Sequence, residues 1–107
     1  MLNVKFHVLP NGKIIGFSVL GHCGYEESGK DIVCAAVSSV VYMVINTFTD
    51  ILNIEVKNLF IEEGRLEFIL NENDEIQART LLEGLKLHLV GLEEMYPKNI
   101  QINYVEV

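Results

Sequence analysis

A chain of 107 residues, half of them hydrophobic and only two of them proline, has apolar material for one core and too little length for two, so one domain over residues 1–107 is expected. Its formal charge of −7 argues against sequence-independent binding of nucleic acid, which needs Lys and Arg to neutralise phosphate. That charge suits simple solubility or a basic partner. Two cysteines, Cys23 and Cys34, are too few for a disulfide framework or a four-cysteine metal site.

Leu2, Val4, Phe6 and Val8 alternate with Asn3, Lys5 and His7. Pro10-Asn11-Gly12 then supplies turn chemistry, and residues 13–20 resume an apolar, β-prone run, which predicts a hairpin. Residues 1–10 lack the basic start and continuous apolar stretch of a secretory signal, so a cytoplasmic protein is expected. From Asp31 to about Leu52 no Gly or Pro interrupts a stretch too long for one strand, which predicts a helix in spite of Val37, Val40, Val41, Val44 and Ile45. Its apolar run, residues 32–45, contains Ser38 and Ser39 and falls short of the ~20 residues that cross a bilayer. It reads as a buried element. Ser28 with Asp31 three residues later, or Asp31 alone, is expected to cap its start.

Residues 54–61 and 65–70 flank Glu62-Glu63-Gly64 and predict a second hairpin. Asn73 or Asp74 is expected to cap a second helix, along which Leu81, Leu82, Leu85, Leu89, Leu92 and Tyr96 form an apolar stripe before Pro97. Residues 100–107 alternate again as a last strand. The predicted fold is α+β, in the order ββαββαβ: a five-stranded, mostly antiparallel sheet with two helices. The first helix is apolar nearly all round, so one side belongs to the sheet and the other to the second helix or another subunit. An oligomer is the fair expectation.

The residues that can do chemistry fall in one stretch. Gly21-His22 ends a strand, a loop follows, and then come Asp31-Ile32-Val33-Cys34-Ala35-Ala36-Val37-Ser38. With Asp31 as the cap, Cys34 falls in the first turn, where free N–H groups and the positive end of the helix dipole favour thiolate. The N–H groups of Cys34 and Ala35 would then face a developing oxyanion. His22 is joined to Cys34 by a loop whose Gly24 and Gly29 let it fold back, and imidazole beside thiol is how a cysteine nucleophile is built. The loop, residues 23–30 with Ser28, suits a lid, and Tyr25 either lines a substrate groove or is an ordinary exposed aromatic. Blander readings stand beside these: Cys34 as a small core hydrophobe, His22 on the surface, Asp31 as a cap only, Ser38 bonded to its own helix.

Gly21-His22, followed by Gly29-x-Asp31-x-x-Cys34-Ala35-Ala36-Val37-Ser38, resembles the signature of the ribosomal-processing cysteine protease family known as Prp. Length, acidic balance and element order extend the similarity over essentially the whole chain. The resemblance implies a thiol protease in which His22 and Cys34 are the catalytic dyad, while Gly21, Asp31 and Ser38 match other motif positions. It further implies a homodimer that trims the amino-terminal extension of the twenty-seventh large-subunit ribosomal protein, a step of ribosome biogenesis in Firmicutes and related bacteria. No metal or cofactor, no direct nucleic-acid contact and no membrane enter this expectation. Cys23 stands where the family pattern usually has alanine, which places a second thiol beside the first.

Three other readings stay open. Cys23 and Cys34 make a reversible disulfide. His22, Cys23 and Cys34, with Asp31, hold zinc. Or the chain is an acidic docking module for a ribosomal protein and cuts nothing. His7 and His88 read as structural, and the carboxylates of Glu62-Glu63, residues 72–75 and Glu93-Glu94 as solvated.

Overall fold

Alternation decides the first hairpin. In the computed structural model, which describes residues 1–21 and 28–107, β1 (Leu2–Val8) sends Leu2, Val4 and Phe6 inward. It pairs antiparallel with β2 (Ile14–Leu20) through the turn at Gly12, whose φ of +85° is open to glycine without strain. β4 (Arg65–Ile69) pairs antiparallel with β2, β3 (Asn58–Glu62) with β4, and β5 (Ile100–Glu106) runs parallel to β1. The sheet order is β3-β4-β2-β1-β5. The expected order ββαββαβ and the mostly antiparallel sheet are therefore what the chain forms, the pair β1/β5 being parallel.

Both helices contribute to a single core on one face of that sheet. α1 (Ser28–Asn46) contributes Val33, Cys34, Val37, Val41, Val44 and Ile45, a stripe of helical period whose burial outweighs the modest helix propensity of valine and isoleucine. α2 (Glu75–Met95) contributes Ala78, Leu82, Leu85 and Leu89. Between them Phe6, Phe17, Phe68 and Phe48 form a chain of ring contacts, with centroids 6.5, 5.3 and 5.5 Å apart in turn. By length and composition Ile32–Ile51 is sufficient to cross a membrane, more than the sequence reading allowed, because the apolar stretch runs past Ile45. In this fold its inner face is part of the core.

Local structure departs from expectation in four places. α1 begins at Ser28, so Asp31 lies inside the first turn and not at a cap. After Asn46 the helix widens into a π-helical turn, Thr47–Ile51, where the hydroxyls of Thr47 and Thr49 donate back to the carbonyls of Met43 and Ile45 and Phe48 reaches the core. Asn53, with φ of +53°, then turns the chain, and Ile54 donates its N–H to the Phe48 carbonyl, so the strand expected from residue 54 begins only at Asn58. Finally, α2 starts at Glu75, directly after Asp74 as expected, but it is entered through a 3-10 turn, Glu72–Asp74, that contains Asn73; Asp74 already has helical backbone angles and makes no side-chain cap. Glu75 anchors that end instead, accepting two hydrogen bonds from the Arg79 guanidinium at 2.9 and 2.7 Å.

Candidate active-site groove

Cys34 lies in the second turn of α1 and not, as expected, in the first, because the helix starts three residues ahead of Asp31. In an α-helix so placed, the N–H groups of Cys34 and Ala35 bond to carbonyls one turn earlier, so the oxyanion donors expected from the sequence are already engaged. Cys34 is only 4% exposed and belongs to the core cluster, yet it also lines a groove of about 330 Å³. Its sulfur is disulfide-bonded here, and nucleophilic chemistry belongs to the reduced form.

Three elements build the groove. One wall is α1, with Cys34, Val37, Ser38, Val41 and Tyr42 at successive turns of one face. Strand ends form the base, from Leu2, Val19 and Leu66, and the far wall is the β3–β4 turn, Glu62, Glu63, Gly64 and Arg65, with Ile61 before it. Gly64, at φ +79°, makes that turn tight, and the Arg65 guanidinium sits 4.7 Å over the Phe60 ring across the hairpin.

Gly21 closes the base. Its φ is +134°, and a Cβ there would lie 2.7 Å from the Met1 carbonyl oxygen, so only glycine fits without displacing the backbone. Its N–H donates to the Gly64 carbonyl at 3.0 Å, tying the end of β2 to the far wall. The next residue in the chain is His22.

Of the residues expected at the site, Gly21, Cys34 and Ser38 line one groove, whereas Ala35 is exposed and does not line it. His22, Cys23, Gly24 and Tyr25 lie outside the described residues, as do the side chains of Ser28 and Asp31; Gly29 is in the first turn of α1. Among the described residues no three His, Cys, Asp or Glu side chains gather as a metal site. The sequence reading missed Tyr42, Ile61 and the β3–β4 turn. Glu62-Glu63-Gly64 announced the turn, but nothing local says that it folds against helix residues 34–42 earlier in the chain.

His7, expected to be structural, has its Nε2 2.7 Å from the Ser18 hydroxyl. Burial holds its imidazole below the usual value, with Glu67 opposing and Lys5 adding to that shift. Glu75 is held below the ordinary carboxylate range, first by its hydrogen bonds from Arg79, with desolvation opposing and the charges of Arg79 and Lys13 assisting.

The family model described as "Cysteine protease Prp" matches residues 1–101. A Staphylococcus aureus protein named ribosomal processing cysteine protease Prp is 29% identical over 107 residues, covering 97% of this chain and 99% of its own. A Bacillus subtilis protein of the same name is 29% identical over 94 residues, covering 83% and 84%. Among solved structures, the S. aureus Prp protease in complex with a substrate peptide superposes with a TM-score of 0.87 at 25% identity, over 98% of this chain and 100% of that one. A Streptococcus mutans protein shares the fold, with a TM-score of 0.84 at 23% identity over 100% and 96%. The family model spans nearly the whole chain and the fold is shared from end to end, so the chain belongs to the Prp family of cysteine proteases.

Proposed function

We propose that this protein is a cytoplasmic endopeptidase that removes the amino-terminal extension of the twenty-seventh large-subunit ribosomal protein, with His22 and Cys34 as its dyad. The observation that carries this reading is that Cys34, on the buried side of α1, borders a groove whose base is Gly21, the residue that precedes His22. Relatives of nearly equal length that are named ribosomal processing proteases support the substrate class.

In the reduced enzyme His22 takes the Cys34 proton, and the thiolate attacks the scissile carbonyl carbon. A C–S bond forms, the C–N bond breaks, and His22 returns the proton to the departing amine. His22 then deprotonates a water, which attacks the thioester; the carboxylate product leaves and the thiol is restored. Ser38, one turn beyond Cys34, is exposed and lines the groove, and this reading puts the peptide next to it. The reaction calls on no metal, cofactor, nucleic acid or membrane. The homodimer buries the outer face of α1, where Ile32 and Met43 are 58% and 50% exposed. Sedimentation of Met43→Glu tests that face, with a monomer expected.

The assay mixes enzyme and precursor under reductant. The wild type cleaves; Cys34→Ala and His22→Ala do not. Full cleavage by Cys34→Ala overturns the reading. Alkylation of Cys34 no faster than that of a model thiol, together with retained precursor binding, establishes the docking module in its place.

A further inference from the structure

β3 is an outer strand, and the ladder shows which of its backbone groups face outward. Between β2 and β4 the Gly21 N–H bonds to the Gly64 carbonyl and the Leu70 N–H to the Ile15 carbonyl. Those pairs are in phase with Val19/Leu66 and Phe17/Phe68, so Leu66 and Phe68 direct their backbone groups to β2. Arg65, Glu67 and Ile69 then direct theirs to β3, where they meet Glu62, Phe60 and Asn58. The N–H and C=O groups of Leu59 and Ile61 therefore point away from the sheet.

The side chains of the same two residues lie on the helix-bearing face, opposite buried Phe68 and Leu66, yet remain 44% and 46% exposed. Edge strands are commonly blunted by lysine, proline, a bulge or a cover. Asn58-Leu59-Phe60-Ile61-Glu62 has no lysine or proline, and its pairing with β4 runs without a register shift. The opposite edge is treated differently: on β5 the outward Ile102 N–H is taken by the Glu93 carboxylate at 2.7 Å. Among the described residues no strand pairs with this edge, and Ile61 joins it to the chemistry because it lines the same groove as Cys34.

We infer that β3 is the edge on which the substrate docks: an extended peptide adds beside Leu59 and Ile61 as a sixth strand and passes into the groove at Cys34. This rests on the protease reading and deepens it. Backbone bonds to Leu59 and Ile61 hold the peptide whatever its sequence. Alternate side chains then face Ile61 and the α1 wall while their neighbours face away, so selectivity has a period of two.

The test is a scan of the synthetic extension peptide of the ribosomal protein, methylated at one backbone nitrogen at a time. Affinity is measured on Cys34→Ala and cleavage on the reduced wild type. Losing one backbone hydrogen bond raises Kd by about fivefold or more, and the expected loss falls on every second residue of the docked segment. Losses without alternation, no losses, or no measurable binding overturn the docking edge. Tight, alternating binding with no cleavage by the wild type overturns the protease reading and leaves the edge standing.

Discussion

The imidazole Nε2 of His7 and the hydroxyl of Ser18 meet at 2.7 Å across β1 and β2, on the sheet face turned away from Phe6 and Phe17. Burial favours the neutral ring, so the folded-state pKa of His7 lies below the ordinary 6.5. The fold therefore binds this proton less readily than the unfolded chain. Stability from His7 is complete above about pH 6.5 and is lost as pH falls through the lower folded value. Glu75, also held low, adds a second loss below its ordinary 4.5. Melting temperature measured from pH 7.5 down to 5 should decline in the wild type and decline less in His7→Gln.

Gly21 admits no side chain. Alanine there must hold φ near +134° with its Cβ 2.7 Å from the Met1 carbonyl oxygen. Gly21→Ala should lose about 1–3 kcal/mol of stability. Because the same residue ties β2 to the far wall of the groove, cleavage should fall further than stability explains. Denaturant melts beside kcat/KM check this.

Ser38 lines the groove and is exposed, so a larger side chain fills the groove without disturbing the core. Ser38→Leu should leave stability within about 0.5 kcal/mol of the wild type, while KM for the precursor rises. An unchanged KM would mean that peptide passes elsewhere.

Phe48 is fully buried and stacks on Phe68 with centroids 5.5 Å apart. Phe48→Ala should cost about 3–5 kcal/mol, measured by urea denaturation. The π-helical turn that delivers this ring thus belongs to core packing.

Oxidation should silence the enzyme. Cys34 is disulfide-bonded here, and a sulfur so engaged cannot attack a carbonyl. Cleavage should appear on adding dithiothreitol and fade on its removal. Cys23→Ala, which deletes the chain's one other thiol, should keep activity without reductant.

Period and punctuation in the sequence were sufficient for the elements. Leu2, Val4 and Phe6 repeat at two and Leu82, Leu85 and Leu89 at helical spacing, and each pattern can bury its apolar residues in only one kind of structure. Gly12 and Gly64 marked the two hairpin turns because the backbone there needs positive φ. The boundary at Asn58 was less legible, since the π turn and the left-handed Asn53 before it answer to the burial of Phe48 and Ile54 more than to local composition. Cys34 and the motif around it stood out as a candidate because those residues are close together in the chain, and Gly21, Cys34 and Ser38 of that motif do line one groove. The groove was not: its far wall, Ile61 to Arg65, meets Cys34 and Tyr42 only after two hairpins have paired in one sheet and α1 has packed across it. Which strand ends up outermost in that sheet, and which backbone groups it turns outward, depends on hydrogen bonds between strands distant in sequence, and no local pattern encodes them.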